Sequence, residues 1–130
     1  METQIKIAGW LMIVLALVHI VFPGYFKWKN ELKPLSVINR QLMYVHCFFV
    51  AFVILLAGLL CITSSYDLIA THLGHNILTG FSVFWITRLV FQFLVYSPDT
   101  WKGKKFETAV HIILSFLWIY FSVVFVLSLL

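Results

Sequence analysis

Four stretches of this chain carry almost no charge: about Ile5 to Phe26, Gln41 to Thr63, Asn76 to Tyr96 and Thr108 to Leu130. Lys6 and Arg88 are their only Asp, Glu, Lys or Arg residues. A helix needs about 20 mostly apolar residues, at ~1.5 Å each, to cross the hydrocarbon of a bilayer. Each stretch is long enough. Together they use most of the 130 residues and leave no room for a soluble domain. Hydrophobic residues make up 62% and charged residues 11% of the chain, against roughly 45–50% and 25% in soluble domains. A chain this short has too little interior to hide so much apolar surface from water. The solvent for most of it must be lipid.

The expected fold is therefore all-α: one integral membrane domain over residues 1–130, a four-helix up-down-up-down bundle joined by short loops. The strict polar/apolar alternation of a membrane β-barrel is absent. The first span has a long apolar run and no small-residue cleavage site after it, so it reads as an anchor rather than a signal peptide. Cys47 and Cys61 stand 14 residues apart on one span, about 21 Å, too far for a disulfide with each other. They read as small apolar packers, with Cys47 adjoining His46 at the edge of any site there.

The loops set the orientation. Lys27, Lys29, Lys33 and Arg40 fall between spans one and two, and Lys102, Lys104 and Lys105 between spans three and four. The loop between spans two and three has only Asp67. The positive-inside rule puts the two basic loops in the cytoplasm and both termini outside, in a plasma- or inner-membrane-type bilayer. The net charge of +4 needs no nucleic-acid partner. Tyr25, Trp28, Tyr96 and Trp101 fall where an aromatic belt would lie.

The few polar residues inside the spans carry the functional signal. His19, His46 and His111 each lie about one to two turns from a basic loop, and Arg88 and Gln92 reach a comparable depth on span three. Every span thus contributes to one polar layer. Arg88 and Gln92 are i,i+4 and share a face, with Trp85 just beneath. His111, Ser115, Trp118 and Ser122 form one stripe on span four. Asn39 lies one heptad before His46. These faces are expected to turn inward, because ionisable groups facing lipid are costly. Arg88 must snorkel, meet water or find acceptors; Glu107, or an anion from outside, is the nearest candidate. Pro23 has no N–H for the carbonyl of His19, four residues earlier, and leaves that carbonyl without its helical partner. His72 and His75 precede span three and stand apart from the layer.

Three imidazoles at one depth are competent to ligate a metal ion, and two opposed ones a haem iron. In residue types at one depth the layer resembles the small membrane cytochromes b, whose four-helix cores carry histidine ligands on several spans. The resemblance implies a b-type haem held by His46 and His111, with His19 as a further ligand or hydrogen-bond partner and Arg88 pairing with propionates. Phe48, Phe49, Phe84, Phe91 and Phe116 would wall the ring pocket. The outer leaflet lacks the paired histidines of the two-haem pattern, and Gly9, Gly58 and Gly80 lie away from the histidine layer. The expected function is thus binding of a redox cofactor, haem b or another metal on His19, His46 and His111, with Arg88 and Gln92 lining the site, for electron transfer or quinone chemistry. The alternative is a cofactor-free accessory or assembly subunit of a larger membrane complex or homo-oligomer, its polar layer serving as interhelical packing or a lipid or quinone site. No familiar enzyme motif is present: no G-x-S-x-G, H-E-x-x-H or phosphate-binding glycine loop.

Overall fold

A computed structural model describes residues 1–25, 27–94 and 105–130, except the side chain of Glu107. Phe26, Tyr96, Trp101, Lys102, Lys104 and the Glu107 carboxylate, all named above, lie outside the described residues. Helix α1 spans Glu2–Tyr25, α2 Trp28–Glu31, α3 Val37–Thr63, α4 Ser65–Ala70, α5 His72–Leu94 and α6 Lys105–Ser128. There is no strand among the described residues. Four helices, α1, α3, α5 and α6, are long and apolar enough to cross a membrane.

Each of the four begins three or four residues before its apolar run does. Apolar length measures the hydrocarbon, whereas hydrogen-bonding caps decide where a helix starts. Ser36 caps α3, its hydroxyl accepting from the Asn39 amide at 3.3 Å. Thr71 caps α5, its hydroxyl accepting from the Gly74 amide at 2.9 Å. At 24, 27 and 23 residues, α1, α3 and α5 run about 35–40 Å. Their ends therefore extend beyond a hydrocarbon core of about 30 Å.

The described chain divides into two compact units: Ile5–Ser65, and Tyr66–Leu130 together with Met1–Gln4. The first holds most of α1, with α2 and α3. Its core is the small-residue face of α1, with Ile5, Ala8, Met12, Leu15 and Ala16 buried, and Ile54 and Cys61 from α3. Backbone meets backbone at Gly9 and Gly58. A Cβ added to either would stand 2.7 Å from the carbonyl oxygen of the other. Without a hydrophobic driving force in lipid, helices associate through such close approach of small residues. Gly9 opposite Gly58 and His19 opposite Cys47 make the pair antiparallel. The connection turns at Lys27, in the left-handed region at φ 55°. It is pinned by Trp28, which is buried and set edge-on to Tyr44, ring centroids 5.4 Å apart. Trp28 is thus a packing residue of the loop and not only part of a belt.

The second unit is built on α5 and α6, antiparallel from Phe81 on Phe125 to Gln92 on His111. Its core is aromatic: Trp85, Trp118, Phe121 and Phe125 are buried with Leu78. Trp85 stacks on Trp118, centroids 5.2 Å apart and planes 17° apart. At the α4–α5 corner Gly74 lets the chain pass against the backbone of Asp67 and Leu68, where a Cβ would collide.

The span hydroxyls are satisfied locally. Thr63, Thr79, Ser82, Thr87, Ser115, Ser122 and Ser128 each donate to the carbonyl four residues earlier, at 2.7–2.9 Å. In hydrocarbon every polar group must find a protein partner, and this back-bonding supplies it within one helix. Bridging between α5 and α6 falls to larger side chains.

Candidate functional site: the Gln92 cluster

Gln92 is buried in the α5–α6 interface. Its Oε1 accepts from Trp118 Nε1 at 3.3 Å and from Arg88 Nη1 at 3.4 Å. Its Nε2 donates to His111 Nδ1 at 3.0 Å and to the His111 carbonyl at 3.4 Å. An amide has two acceptor sites and two N–H groups, and here all four are used. The two donors at Oε1 fix which end of the amide is oxygen, since a flipped amide would turn N–H against N–H. The Nδ1 of His111 is therefore an acceptor, and its neutral ring carries the proton on Nε2.

Arg88 is held from two sides. Besides Gln92, its guanidinium carbon lies 4.9 Å from the Trp118 ring centroid, a cation–π geometry. Arg88, Gln92 and His111, together with Trp85 and Trp118, thus form one contiguous cluster. The stripe on α6 also faces α5 as expected, with Ser115, Trp118 and Ser122 buried. Its two serines, however, bond back to α6 and do not reach across. Trp85 contributes area and stacking only. Its Nε1 is the one buried side-chain polar atom among the described residues with no hydrogen-bond partner, an omission worth about 1–3 kcal/mol in a dry interior.

The other two histidines of the expected layer belong to the first unit. His19 Nδ1 lies 2.8 Å from the Leu15 carbonyl, and His46 Nδ1 lies 2.8 Å from the Leu42 carbonyl. A carbonyl only accepts, so in both neutral rings Nδ1 carries the proton and Nε2 is the acceptor, opposite to His111. Cys47 Sγ donates to the His19 carbonyl at 3.7 Å. That is the carbonyl deprived of its helical partner by Pro23, and a thiol from α3 meets it. Cys47 also brings His19 and His46 to one level of the hairpin.

The inward turn expected of each polar face is not uniform. His19 and His111 are half-buried, but His46 is exposed. On α3 it is Cys47, about 100° round the helix from His46, that faces α1. The proposed ring-pocket walls are not internal either: Phe48, Phe49, Phe84, Phe91 and Phe116 are all at least half exposed. His75 has a structural role, its Nε2 donating to the Ile69 carbonyl at 2.6 Å and tying α4 to α5. Among the described residues no three His, Cys, Asp or Glu side chains are gathered to hold a metal ion. Trp118 as a donor to Gln92, and Gly9 against Gly58, are the contacts that residue spacing did not reveal.

No protein family matches the sequence, and no curated protein or solved structure is significantly similar to it.

Proposed function

We propose that the chain is an integral membrane protein of up-down-up-down topology that serves as a cofactor-free accessory or assembly subunit of a larger membrane complex. Its basic loops face the cytoplasm and its termini the outside, as the positive-inside rule requires. The saturation of Gln92 carries this reading. All four of its hydrogen-bonding positions go to Arg88, His111 and Trp118, which is the chemistry of interhelical packing. The exposure of His46 adds support. An ionisable side chain facing lipid is costly, and a neighbouring membrane subunit would supply a donor for its Nε2.

The test is an absorption spectrum and metal analysis of the detergent-purified protein, beside co-purification with other membrane subunits. A colourless, metal-free preparation whose subunit association survives His19→Ala and His111→Ala is expected. A Soret band that disappears in a histidine variant would overturn the reading. Labelling of a cysteine introduced at Lys33 from outside intact cells would overturn the orientation.

A second reading, a b-type haem or another metal for electron transfer, is favoured by one observation. His19 and His46 each anchor Nδ1–H on a backbone carbonyl and present Nε2, the arrangement that orients histidine ligands. His111, with Nδ1 engaged by Gln92, fits a ligand role less well. Under this reading the Soret band would vanish in His19→Ala and His46→Ala and persist in Gln92→Leu.

A further inference from the structure

Where the chain turns between α1 and α3, an open cavity of about 270 Å³ is lined by Trp28, Lys29, Val37, Arg40, Gln41 and Tyr44. Val37, Arg40, Gln41 and Tyr44 follow i, i+3, i+4 and i+7, so they share one face of α3. Trp28 and Lys29 close the other side from the single turn of α2. The aromatic wall is fixed, because Trp28 is buried and the Tyr44 ring stands edge-on to it. Arg40 is half-buried, and its amide donates to the Ser36 carbonyl at 3.0 Å in the capped first turn of α3. Two cations thus open on one small cavity. Among the described residues neither makes an ion pair or a side-chain hydrogen bond. Glu31, the one acidic residue between α1 and α3, is not in the lining. Arg40 immediately precedes the uncharged run of Gln41 to Thr63, which puts the cavity at the boundary of the hydrocarbon. Tyr44 stands one turn further in, about 6 Å along the axis.

We propose that this cavity binds the headgroup of an anionic phospholipid, with Arg40 and Lys29 on the phosphate oxygens and Trp28 and Tyr44 against the first carbons below it. Charge selects the headgroup. Arginine engages phosphate through parallel N–H groups and lysine as a point charge, and a headgroup with an ammonium of its own would be repelled by both. The aromatic wall and the depth select a lipid over a free phosphate. Tryptophan and tyrosine favour the level of the headgroups, and inorganic phosphate has no apolar part to lay against them. At about 270 Å³ the cavity is smaller than the ~300–1,000 Å³ of sites that enclose a whole small molecule. That suits a headgroup whose chains stay in the bilayer. The proposal rests on the membrane placement above and gives Lys29 and Arg40 a ligand besides their part in orientation.

The experiment is native mass spectrometry of the full chain in micelles containing equal amounts of phosphatidylglycerol and phosphatidylcholine. Retention of one phosphatidylglycerol in about 25-fold preference is expected, from two basic contacts of about fivefold each. Arg40→Gln should lower the preference to about fivefold, and adding Lys29→Gln should abolish it. Lys33→Gln removes the same charge from the same loop but outside the cavity lining, and should leave the preference at the parent value. Thermal unfolding midpoints near that of the parent protein would show that the variants remain folded. Equal retention of the two lipids by the parent protein would overturn the proposal, and so would a loss with Lys33→Gln as large as that with Arg40→Gln. Displacement of phosphatidylglycerol by an equal concentration of inorganic phosphate would overturn it too, because the ligand would then be a free anion. A haem band in the same preparation counts against the accessory reading alone, and labelling at Lys33 from outside cells against the orientation alone. The lipid comparison in micelles depends on neither.

Discussion

In the α1–α3 hairpin the backbones touch at Gly9 and Gly58, whereas in the α5–α6 hairpin two indoles and an amide fill the space between helices. The first pair needs the absence of side chains, and the second needs particular ones. Their histidines differ in the same sense. His19 and His46 spend Nδ1–H on their own helices and present Nε2, while His111 gives its Nδ1 to Gln92 on the neighbouring helix. Lipid removes the hydrophobic contribution to helix pairing, and these are two of the means that remain: close van der Waals approach and interhelical hydrogen bonds.

The contrast is broken most strongly at the glycine contact. Gly58→Leu should cost about 3 kcal/mol or unfold the hairpin, because the new side chain meets a carbonyl rather than a mobile side chain. Gly80→Leu on α5, with open space around it, should change the unfolding midpoint little. Thermal unfolding in detergent measures both. Next in size is Gln92→Leu, which leaves Trp118 Nε1 and His111 Nδ1 without this partner. A loss of about 1–2 kcal/mol is expected, read by the same unfolding assay.

The stacked tryptophans sharpen the contrast within the second hairpin. Trp118→Phe removes a donor that Gln92 uses and should cost about 1 kcal/mol. Trp85→Phe loses similar ring area but removes a donor with no partner, and should cost less than Trp118→Phe. Equal losses from the two would contradict the hydrogen-bond assignment. The smallest effect is expected at Cys47. Cys47→Ser keeps a donor for the His19 carbonyl, and Cys47→Val removes it at a cost of about 0.5 kcal/mol. Hydrogen exchange around Pro23 would report the difference.

The spans were legible because hydrocarbon imposes a length, and uncharged runs of that length cannot be mistaken for much else. The pairing of Arg88 with Gln92 was legible from i,i+4 spacing, and the stranded His19 carbonyl from Pro23. The facing of the helices was not. In lipid an outward face is as apolar as an inward one, so hydrophobic periodicity does not say which way His46 or the five phenylalanines point. Depth along a helix can be counted from its ends, and that is the ground on which one layer was expected for His19, His46 and His111. The direction around the helix decides whether a histidine meets Gln92, its own backbone or the surroundings, and only the structure supplies it. The Gly9–Gly58 contact was hidden for a related reason: it depends on the register of two helices.

The state of His111 separates packing from ligation most directly. Long-range proton–nitrogen correlation spectra of the histidine-labelled protein in micelles report which ring nitrogen carries the proton. The expected result is an Nε2–H tautomer for His111 that is perturbed by Gln92→Leu, beside Nδ1–H tautomers for His19 and His46. An Nδ1–H tautomer at His111 that is indifferent to Gln92→Leu would contradict the interhelical lock.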